Sequence, residues 1–406
     1  MAKIKLGVLR EGKVPPDKRV PLTPKQCKIV EEKFSNVEVV VQPSPIRSFK
    51  DQDYLNEGVK LQEDLSDCDI IMGVKEVNID DLIPNKKFLF FSHTIKKQTY
   101  NRNLLRAVLK NKVQLIDYEV LKDKSNKRII GFGRYAGIVG CYNGFRTFGL
   151  KHKLYEIKAA NLCADRKEVE EELKKVILPK DTKIVLTGFG RVGLGAREIL
   201  DLLPINEVSP DEFLNQKFDK PVFTQLEVED YNIKKDGKAF DKKEFYSNPE
   251  NFKSNFSRFT KEANMYVSCH FWSNKSPFIL TKEDLLSYDC KISVVADISC
   301  DIDSAIACTI RPSTIEAPIY GYDPKTGKEV DFMADGSIAV MAVDNLPCEL
   351  PLDASLDFGS ELIKNILPPL LGEDPYRIID RGSETNLNGE LTEGFSYLKG
   401  YVEGVE

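Results

Sequence analysis

The stretch KIVLTGFGRVGLGAREIL, residues 183–200, joins an apolar run to a glycine-rich turn and then to a helical pattern. Its GxGxxG spacing, in a strand–turn–helix setting, is typical of dinucleotide binding. Gly188 permits the tight turn, Gly190 lets a pyrophosphate approach the backbone, and Gly193 allows the helix to pack closely. The helix N-terminus, which includes Arg191 and Val192, offers amide donors to the phosphates. The stretch therefore predicts a dinucleotide-binding α/β domain, and a tight turn without a ligand is the alternative.

The identity of the dinucleotide depends on the end of the next strand. An acidic side chain there binds the ribose 2′-hydroxyl of NAD, whereas a basic one accommodates the 2′-phosphate of NADP. The apolar run 222–228 is the candidate strand, and it ends in EVED, residues 227–230. Glu227 is the candidate ribose ligand and favours NAD, with NADP possible. A solvated loop is the alternative interpretation of these acids, since residues 203–220 lengthen the usual spacing of about 20 residues.

Composition excludes several classes of protein. The chain has 406 residues, a net charge of −5 and 42% hydrophobic residues, and it shows no Lys/Arg stripe. We therefore expect a folded, soluble protein with no nucleic-acid or membrane partner. The N-terminal stretch MAKIKLGVLREGK resembles neither a secretory signal nor a membrane span. The nine cysteines form no CxxC pair, so we expect no metal site, reduced thiols and a cytoplasmic protein. The sequence does not indicate the oligomeric state.

Apolar runs alternate with helical patterns along most of the chain, which predicts parallel α/β sheets. Residues 133–152 are rich in small residues and predict a long, closely packed helix, while residues 24–34 predict a helix that Thr23 caps. We expect a substrate domain of residues 1–135 plus about 350–406, and a nucleotide domain of residues 136–349 with an insertion around 203–260. Predicted strands are 4–9, 37–41, 70–74, 88–91, 113–116 and 128–132 in the first domain, and 184–187, 222–228, 265–269, 292–298, 315–320 and 338–343 in the second.

Ionisable residues follow several strands of the first domain. Lys75, His93 and Glu119 each come just after a predicted strand, so they should meet at the edge where the parallel strands end. Glu76 and Lys96 lie beside them in the sequence. Any one of these residues alone is more often a solvated or structural group, but their convergence indicates a catalytic or binding site.

The chain resembles the saccharopine dehydrogenase (lysine-forming) and lysine–2-oxoglutarate reductase family, within the alanine dehydrogenase and transhydrogenase superfamily. The stretches that carry the resemblance are KRVPLTP, GVKEV, FFSHTIKKQTYN, LIDYEVL, KRIIGFGRYAGIVG, GFGRVGLGA, ADIS and DNLPCELP. The family implies two Rossmann-like domains with an active-site cleft between them. It implies an acid–base pair of Lys75 and His93, and it places Asp344 and Leu346 near the cofactor. The expected substrate-binding residues are Arg19, Glu76, Lys96, Glu119 and Arg128.

The resemblance implies the reversible conversion of saccharopine, NAD and water into lysine, 2-oxoglutarate and NADH through an imine. A substrate with three carboxylates suits a site rich in Arg and Lys. The segment 203–260 resembles the reductase domain of the bifunctional animal and plant enzymes, which tend to use NADPH. An alanine dehydrogenase-like or other amino-acid or opine dehydrogenase is the main alternative. A cofactor-binding protein without turnover is the alternative from another class.

Overall fold

The computed structural model describes residues 3–270 and 272–405. It divides into two compact units, one formed by Met1–Phe132 with Pro351–Glu406 and the other by Gly133–Leu350. Each unit is built on a largely parallel sheet with helices packed against it, which confirms the predicted α/β fold class. None of the helices in the described ranges has the length and apolar character that a membrane crossing requires.

The first unit contains a six-stranded sheet in the order β3-β2-β1-β4-β5-β6, with every neighbouring pair parallel. Because the strands are parallel, their carboxyl ends share one edge of the sheet, which we call the first rim. The strands are β1 Ile4–Val8, β2 Val37–Val41, β3 Lys60–Leu61, β4 Ile70–Met72, β5 Lys87–Phe90 and β6 Gln114–Asp117, and the helices among them are α1 Pro24–Lys33, α2 Asp51–Asn56 and α3 Arg102–Lys110.

Both faces of this sheet are covered by apolar side chains. Leu89 of β5 packs in the same cluster as Phe358, while Phe88 and Phe90 pack in a second cluster with Leu104 of α3. Successive residues of a strand point to opposite faces, so a continuous apolar run is what a doubly covered strand requires.

The start of α1 follows the predicted capping pattern. The Thr23 hydroxyl accepts a hydrogen bond from the Gln26 amide at 3.4 Å, and the Gln26 side chain accepts one from the Thr23 amide at 3.0 Å. Pro24 occupies the first turn, where its missing N–H costs nothing. The predicted helix start is confirmed.

The predicted strand at 128–132 is wrong. The described residues there form no strand; Arg128 makes only an isolated bridge with Lys122, and the Ile129 amide donates to the Leu121 carbonyl. The edge of β6 is occupied instead by residues 382–384, whose backbone bonds to β6. The position beside β6 that the local pattern suggested for residues 128–132 is therefore occupied by a segment about 265 residues further along the chain.

The second unit contains an eight-stranded sheet in the order β15-β14-β16-β13-β12-β7-β9-β8, plus a separate pair β10-β11. The central strands are parallel, and only β14 and β15 run antiparallel to their neighbours. The strands are β7 Lys183–Thr187, β8 Asn206–Glu207, β9 Val222–Leu226, β10 Asn232–Lys234, β11 Phe252–Ser254, β12 Met265–Ser268, β13 Val294–Asp297, β14 Ile319–Asp323, β15 Lys328–Val330 and β16 Ile338–Met341, and the helices are α4 Gly133–His152, α5 Arg166–Leu173, α6 Arg191–Leu200, α7 Pro210–Asn215, α8 Lys242–Ser247, α9 Ser257–Thr260 and α10 Lys282–Leu286.

Helix α4 spans the predicted residues and packs tightly against α6. A Cβ atom on Gly137 would collide with the Val192 carbonyl, and one on Gly195 would collide with the Arg134 carbonyl. The small residues of the two helices let their backbones approach, which positions α6 and the turn that precedes it.

The segment 203–260 is part of the folded core. It supplies β8 and β9 to the large sheet and the whole of the β10-β11 pair. Its buried aromatic side chains, Phe213, Phe245, Phe252, Phe256 and Phe259, lie in the main cluster of the second unit.

After residue 350 the chain returns to the first unit. Helix α11 Pro351–Glu361 continues through a π-helical turn, Leu362–Ile366, and the remaining helices are α12 Leu367–Leu371, α13 Ile378–Arg381 and α14 Lys399–Glu403. Phe358 and Leu362 fill the core beneath the first sheet.

Candidate active site

The first rim brings together the residues that sequence reasoning placed after successive strands. Lys75 follows β4, His93 follows β5 and Glu119 follows β6, and these three strands are direct neighbours. Neighbouring strands lie about 4.8 Å apart. Side chains carried at their ends can therefore act on one small molecule.

His93 is held in an unusual backbone conformation with one ring nitrogen bound. Its φ angle of 54° lies in the left-handed region, and its ring stacks on Phe91 with 6.4 Å between ring centroids. Its Nδ1 lies 2.7 Å from Oε1 of Glu76. Because Nδ1 is engaged by a carboxylate, Nε2 is the ring atom left to exchange a proton with a ligand.

Glu76 is the carboxylate that orients this imidazole. Its other oxygen accepts a hydrogen bond from Lys13 Nζ at 2.9 Å. Burial raises the pKa of Glu76, but the hydrogen bonds from His93 and Lys13 outweigh it and lower the pKa to about 2. Glu76 is therefore ionised near neutral pH and can stabilise a protonated His93. We expected Glu76 to bind substrate, and the structure places its carboxylate between two residues of the protein.

Lys75 has the environment of a general base. Its pKa is lowered by burial, with the positive charges of Arg19 and Lys13 acting in the same direction. A lysine can accept a proton only when its amine is neutral for part of the time, and a lowered pKa provides that.

Glu11 is a site residue that the sequence reasoning missed. Its carboxyl accepts the Val74 amide at 2.6 Å and the Lys75 amide at 2.9 Å, so it holds the turn that carries the lysine. Burial, with a contribution from the charge of Asp17, raises its pKa to about 8. Its position just after β1, on the same rim, was the signal that could have identified it.

Arg19 is buried and forms a two-point ion pair. Its Nε donates to Asp17 Oδ1 at 3.0 Å and its Nη2 to Oδ2 at 2.6 Å. Burial raises the pKa of Asp17, but the neighbouring guanidinium outweighs this and lowers it well below its ordinary value. The guanidinium also lies 4.1 Å from the centre of the Phe132 ring. The role of Arg19 in substrate binding stays a prediction.

The three remaining predicted substrate residues lie around His93. Lys96 Nζ is 3.8 Å from Glu119 Oε1, and the lysine side chain is 48% exposed, so it can reach a ligand. Arg128 donates through Nε to the Ile130 carbonyl at 3.0 Å, and its guanidinium lies 5.5 Å from the centre of the Phe91 ring. Since Phe91 also stacks on His93, Arg128 belongs to the same neighbourhood. Contact of these residues with substrate stays a prediction.

The glycine-rich turn of the second unit has the geometry that phosphate binding requires. Gly188 has a φ of 96°, and a Cβ there would come within 2.5 Å of the Cys269 carbonyl. A Cβ on Gly193 would collide with the Gly188 carbonyl. Gly190, the N-cap of α6, has open space where its Cβ would point. A diphosphate can approach that open backbone, with the amides of Arg191 and Val192 at the helix N-terminus.

A cavity of about 410 Å³ adjoins this turn. Glu227, directly after β9, lies at its wall, and Oε2 of Glu227 is 3.1 Å from Lys242 Nζ. The Phe, Tyr and Trp residues that line the cavity are Phe189, Tyr231, Phe245, Tyr246 and Trp272. An aromatic wall beside a carboxylate suits an adenosine, so these residues fit a dinucleotide. The assignment of Glu227 to the ribose stays a prediction.

Asp344 and Leu346 follow β16 at the carboxyl edge of the second sheet. The Asp344 amide donates to the Ser313 carbonyl at 3.1 Å, and Leu346 is buried against α4. Two strands, β13 and β12, separate β16 from β7. That corresponds to about 14 Å at about 4.8 Å per strand, a distance that an extended dinucleotide can span. Their cofactor contact stays a prediction.

Comparisons with known proteins agree with this architecture. Residues 7–139 match the family model of the alanine dehydrogenase/PNT N-terminal domain. A solved L-alanine dehydrogenase has a TM-score of 0.67 at 15% identity, covering 99% of this chain and 100% of that chain. The fold is therefore that of the alanine dehydrogenase class, with Rossmann-like domains.

Two curated relatives narrow the class. Alpha-aminoadipic semialdehyde synthase of Arabidopsis thaliana is 30% identical over 400 residues, 88% of this chain and 37% of that protein. Saccharopine dehydrogenase (NAD⁺, L-lysine-forming) of Yarrowia lipolytica is 25% identical over 386 residues, 90% of this chain and 92% of that protein. The resemblance to the saccharopine dehydrogenase (lysine-forming) and lysine–2-oxoglutarate reductase family is confirmed. The chain spans less than half the length of the synthase.

Proposed function

We propose that the chain is an NAD(P)-dependent oxidoreductase that interconverts saccharopine with lysine and 2-oxoglutarate through an imine. The observation that carries this proposal is the placement of Lys75, with its lowered pKa, next to the Glu76–His93 pair at the ends of adjacent strands. Such a pair supplies one group to accept a proton and another to shuttle protons near neutral pH. The relative of matching length that carries the name saccharopine dehydrogenase supports the choice of reaction.

In the direction of lysine formation, Lys75 takes a proton from the protonated secondary amine of saccharopine, which frees the nitrogen lone pair. A nicotinamide cofactor, held through its diphosphate by the glycine-rich turn, would supply the acceptor for the hydride on the neighbouring carbon, whose loss turns the substrate into a protonated imine. His93 Nε2 then takes a proton from the water that attacks the imine carbon. It returns this proton to the nitrogen and takes the proton of the carbinolamine hydroxyl as the C–N bond breaks, which gives lysine and 2-oxoglutarate.

The electrostatics of the first rim fit these steps. His93 becomes positively charged when it takes the proton, and the ionised Glu76 lies 2.7 Å from its other nitrogen. Lys96 is exposed enough to pair with a substrate carboxylate. The expected cleft between the domains, the expected cytoplasmic localisation and the preferred direction stay predictions.

The test is NADH and NADPH oxidation with lysine and 2-oxoglutarate together, compared with each substrate alone. We expect oxidation only when both are present. A His93→Ala, Lys75→Ala double variant should lose this activity while it keeps its melting temperature. Activity with neither cofactor, or full activity in the double variant, would overturn the proposal.

The match of residues 7–139 to the alanine dehydrogenase model supports a second candidate, an alanine dehydrogenase-like reaction. Pyruvate with ammonia in the same assay separates the two. A smaller substrate needs fewer cationic partners, so we also expect Lys96→Ala to impair the lysine-dependent reaction more than one with pyruvate.

A further inference from the structure

Four polar side chains with no exposed surface lie directly beneath the turn that carries His93. They are Ser92, Thr94, Asp117 and Glu384. The Thr94 hydroxyl donates to Glu384 Oε2, the Ser92 hydroxyl donates to Asp117 Oδ2, and the two hydroxyl oxygens are 2.6 Å apart. Two of the four residues are the immediate neighbours of His93 in the sequence.

Glu384 reaches this cluster from the far end of the chain. The Glu384 amide donates to the Leu115 carbonyl at 2.8 Å, and the Asp117 amide donates to the Gly382 carbonyl at 3.0 Å. The segment therefore extends β6 at its edge. Backbone hydrogen bonds to β6 fix the position of residue 384, so the Glu384 carboxyl has a defined place in the cluster.

The Asp117 and Glu384 carboxyl groups are hydrogen-bonded neighbours, and each acts on the pKa of the other. Burial raises the pKa of Asp117, and the hydrogen bonds that its carboxyl accepts from the Ser92 amide at 3.1 Å and the Glu119 amide at 2.6 Å oppose this rise. Burial, followed by the charge of Asp117, raises the pKa of Glu384 well above its ordinary value. Two adjacent buried carboxylates cannot both ionise, so Glu384 holds the proton.

Other titratable groups face this pair. The charge of Glu119 adds to the rise in the pKa of Asp117, whose main cause is burial. Tyr397 and Tyr401 lie near Glu384, and burial is the main cause of their raised pKa values. Because Glu384 holds the proton, the pair carries close to a single negative charge.

The cluster bears on His93 through the backbone. A non-glycine residue in the left-handed region persists when its surroundings hold it there. Ser92 and Thr94, one on each side of His93, are both tied to the carboxyl pair. The ring then meets Glu76 at 2.7 Å only if this turn stays in place.

We propose that Glu384 is a positioning residue for His93, holding the Ser92–Thr94 turn in the conformation that directs the imidazole to Glu76. This proposal rests on the proposed function, because only that function makes His93 a catalytic residue. The geometry of the Ser92–Thr94 turn does not depend on it. Glu384 touches neither substrate nor cofactor in this role.

The test compares Glu384→Gln, Glu384→Ala and the control Glu393→Ala, which alters an exposed carboxylate of the same segment. Glutamine offers one acceptor and one N–H donor, as a protonated carboxyl does, so Glu384→Gln should keep kcat within about threefold. Glu384→Ala should lower kcat by about 10- to 100-fold, since misplacement of a catalytic group has an effect of this size. The KM for NADH should stay unchanged in all three.

A second readout is independent of turnover. The chain has three histidines, so the proton NMR signal of the His93 ring can be assigned from its loss in His93→Ala. We expect this signal to shift in Glu384→Ala and to stay in place in Glu384→Gln and Glu393→Ala. If Glu384→Ala does not fold, Thr94→Val provides the test, because it removes the hydroxyl that donates to Glu384. This variant should also lower kcat and shift the His93 signal.

An unshifted His93 signal with unchanged kcat in folded Glu384→Ala or Thr94→Val would overturn the positioning role. Equal damage in the Gln and Ala variants would overturn the assignment of the proton to Glu384. Absence of lysine- and 2-oxoglutarate-dependent oxidation in the unaltered chain would overturn the proposed function instead, because the NMR comparison would still report on the turn.

Discussion

Replacement of Glu76 by glutamine tests the proton-shuttle assignment most directly. The carboxylate receives one hydrogen bond from His93 at 2.7 Å and one from Lys13 at 2.9 Å. Glutamine keeps the shape but removes the charge that stabilises a protonated imidazole. A hydrogen bond to a charged group contributes about 1.5–3 kcal/mol. At about 1.4 kcal/mol per factor of ten, kcat should fall about 10- to 150-fold.

We expect the effect in kcat because, in the proposed mechanism, His93 takes up its proton during the reaction. The assay is steady-state NADH oxidation with saturating lysine and 2-oxoglutarate, and NADH binding followed by fluorescence should be unchanged. The control is Glu38→Gln on strand β2. It removes a carboxylate whose Oε2 lies 2.8 Å from Lys3 Nζ. An unchanged kcat in a folded Glu76→Gln variant would refute the role of the Glu76–His93 pair.

The same variant has a stability signature with a defined sign. The pKa of Glu76 falls from 4.5 to about 2 in the folded protein. A lowered carboxyl pKa contributes stability above pH 4.5, and this contribution is lost as the pH falls toward 2. At about 1.4 kcal/mol per pH unit it amounts to about 3 kcal/mol. The difference in melting temperature between the parent and Glu76→Gln should therefore shrink across this acid range.

Four further variants have defined expected outcomes. Lys75→Arg keeps a charge that cannot be lost near neutral pH, so kcat should fall about 10²- to 10⁴-fold without a change in melting temperature. Gly137→Ala should destabilise the chain by about 1–3 kcal/mol in thermal melts, because α4 and α6 must separate. Gly190→Ala should instead leave the melting temperature unchanged and weaken NADH binding, and identical behaviour of the two glycine variants would contradict both assignments. Lys242→Glu adds a negative charge beside Glu227, so the ratio of kcat/KM for NADPH to that for NADH should fall, and a constant ratio would place the ribose elsewhere.

Local sequence patterns predicted those helices and strands whose formation depends on residues close together in the sequence. The apolar run before the glycine-rich turn became β7, and the small residues of 133–152 became α4. The rim was predictable because parallel strands all end at one edge, so Lys75 and His93 could be placed together from strand order alone. The strand at 128–132 was wrong because its place beside β6 is taken by a distant segment.

Contacts between distant segments explain what the sequence could not predict at the site. Glu384 is 291 positions beyond His93, and nothing in its local pattern indicates burial beneath a turn of the first rim. The position of Glu11 just after β1 could have indicated the rim, but only the structure shows that its carboxyl accepts two backbone amides near Lys75. Burial of a carboxyl is a property of its surroundings, so a motif search does not reveal it.

Glu76, Asp17 and Glu11 fall into two sets with opposite protonation, and this division fits the different roles proposed for Lys75 and His93. Glu76 and Asp17 have lowered pKa values because cationic side chains contact them. Glu11, with a pKa of about 8, is raised by burial and is mostly protonated at neutral pH. A neutral Glu11 holds the backbone of Lys75 without adding a negative charge that would favour the ammonium form. The ionised Glu76 lies instead against His93, where the proposed mechanism requires a positive charge to be stabilised. This arrangement supports the proposed roles of the Lys75 amine as the base and the His93 imidazole as the shuttle.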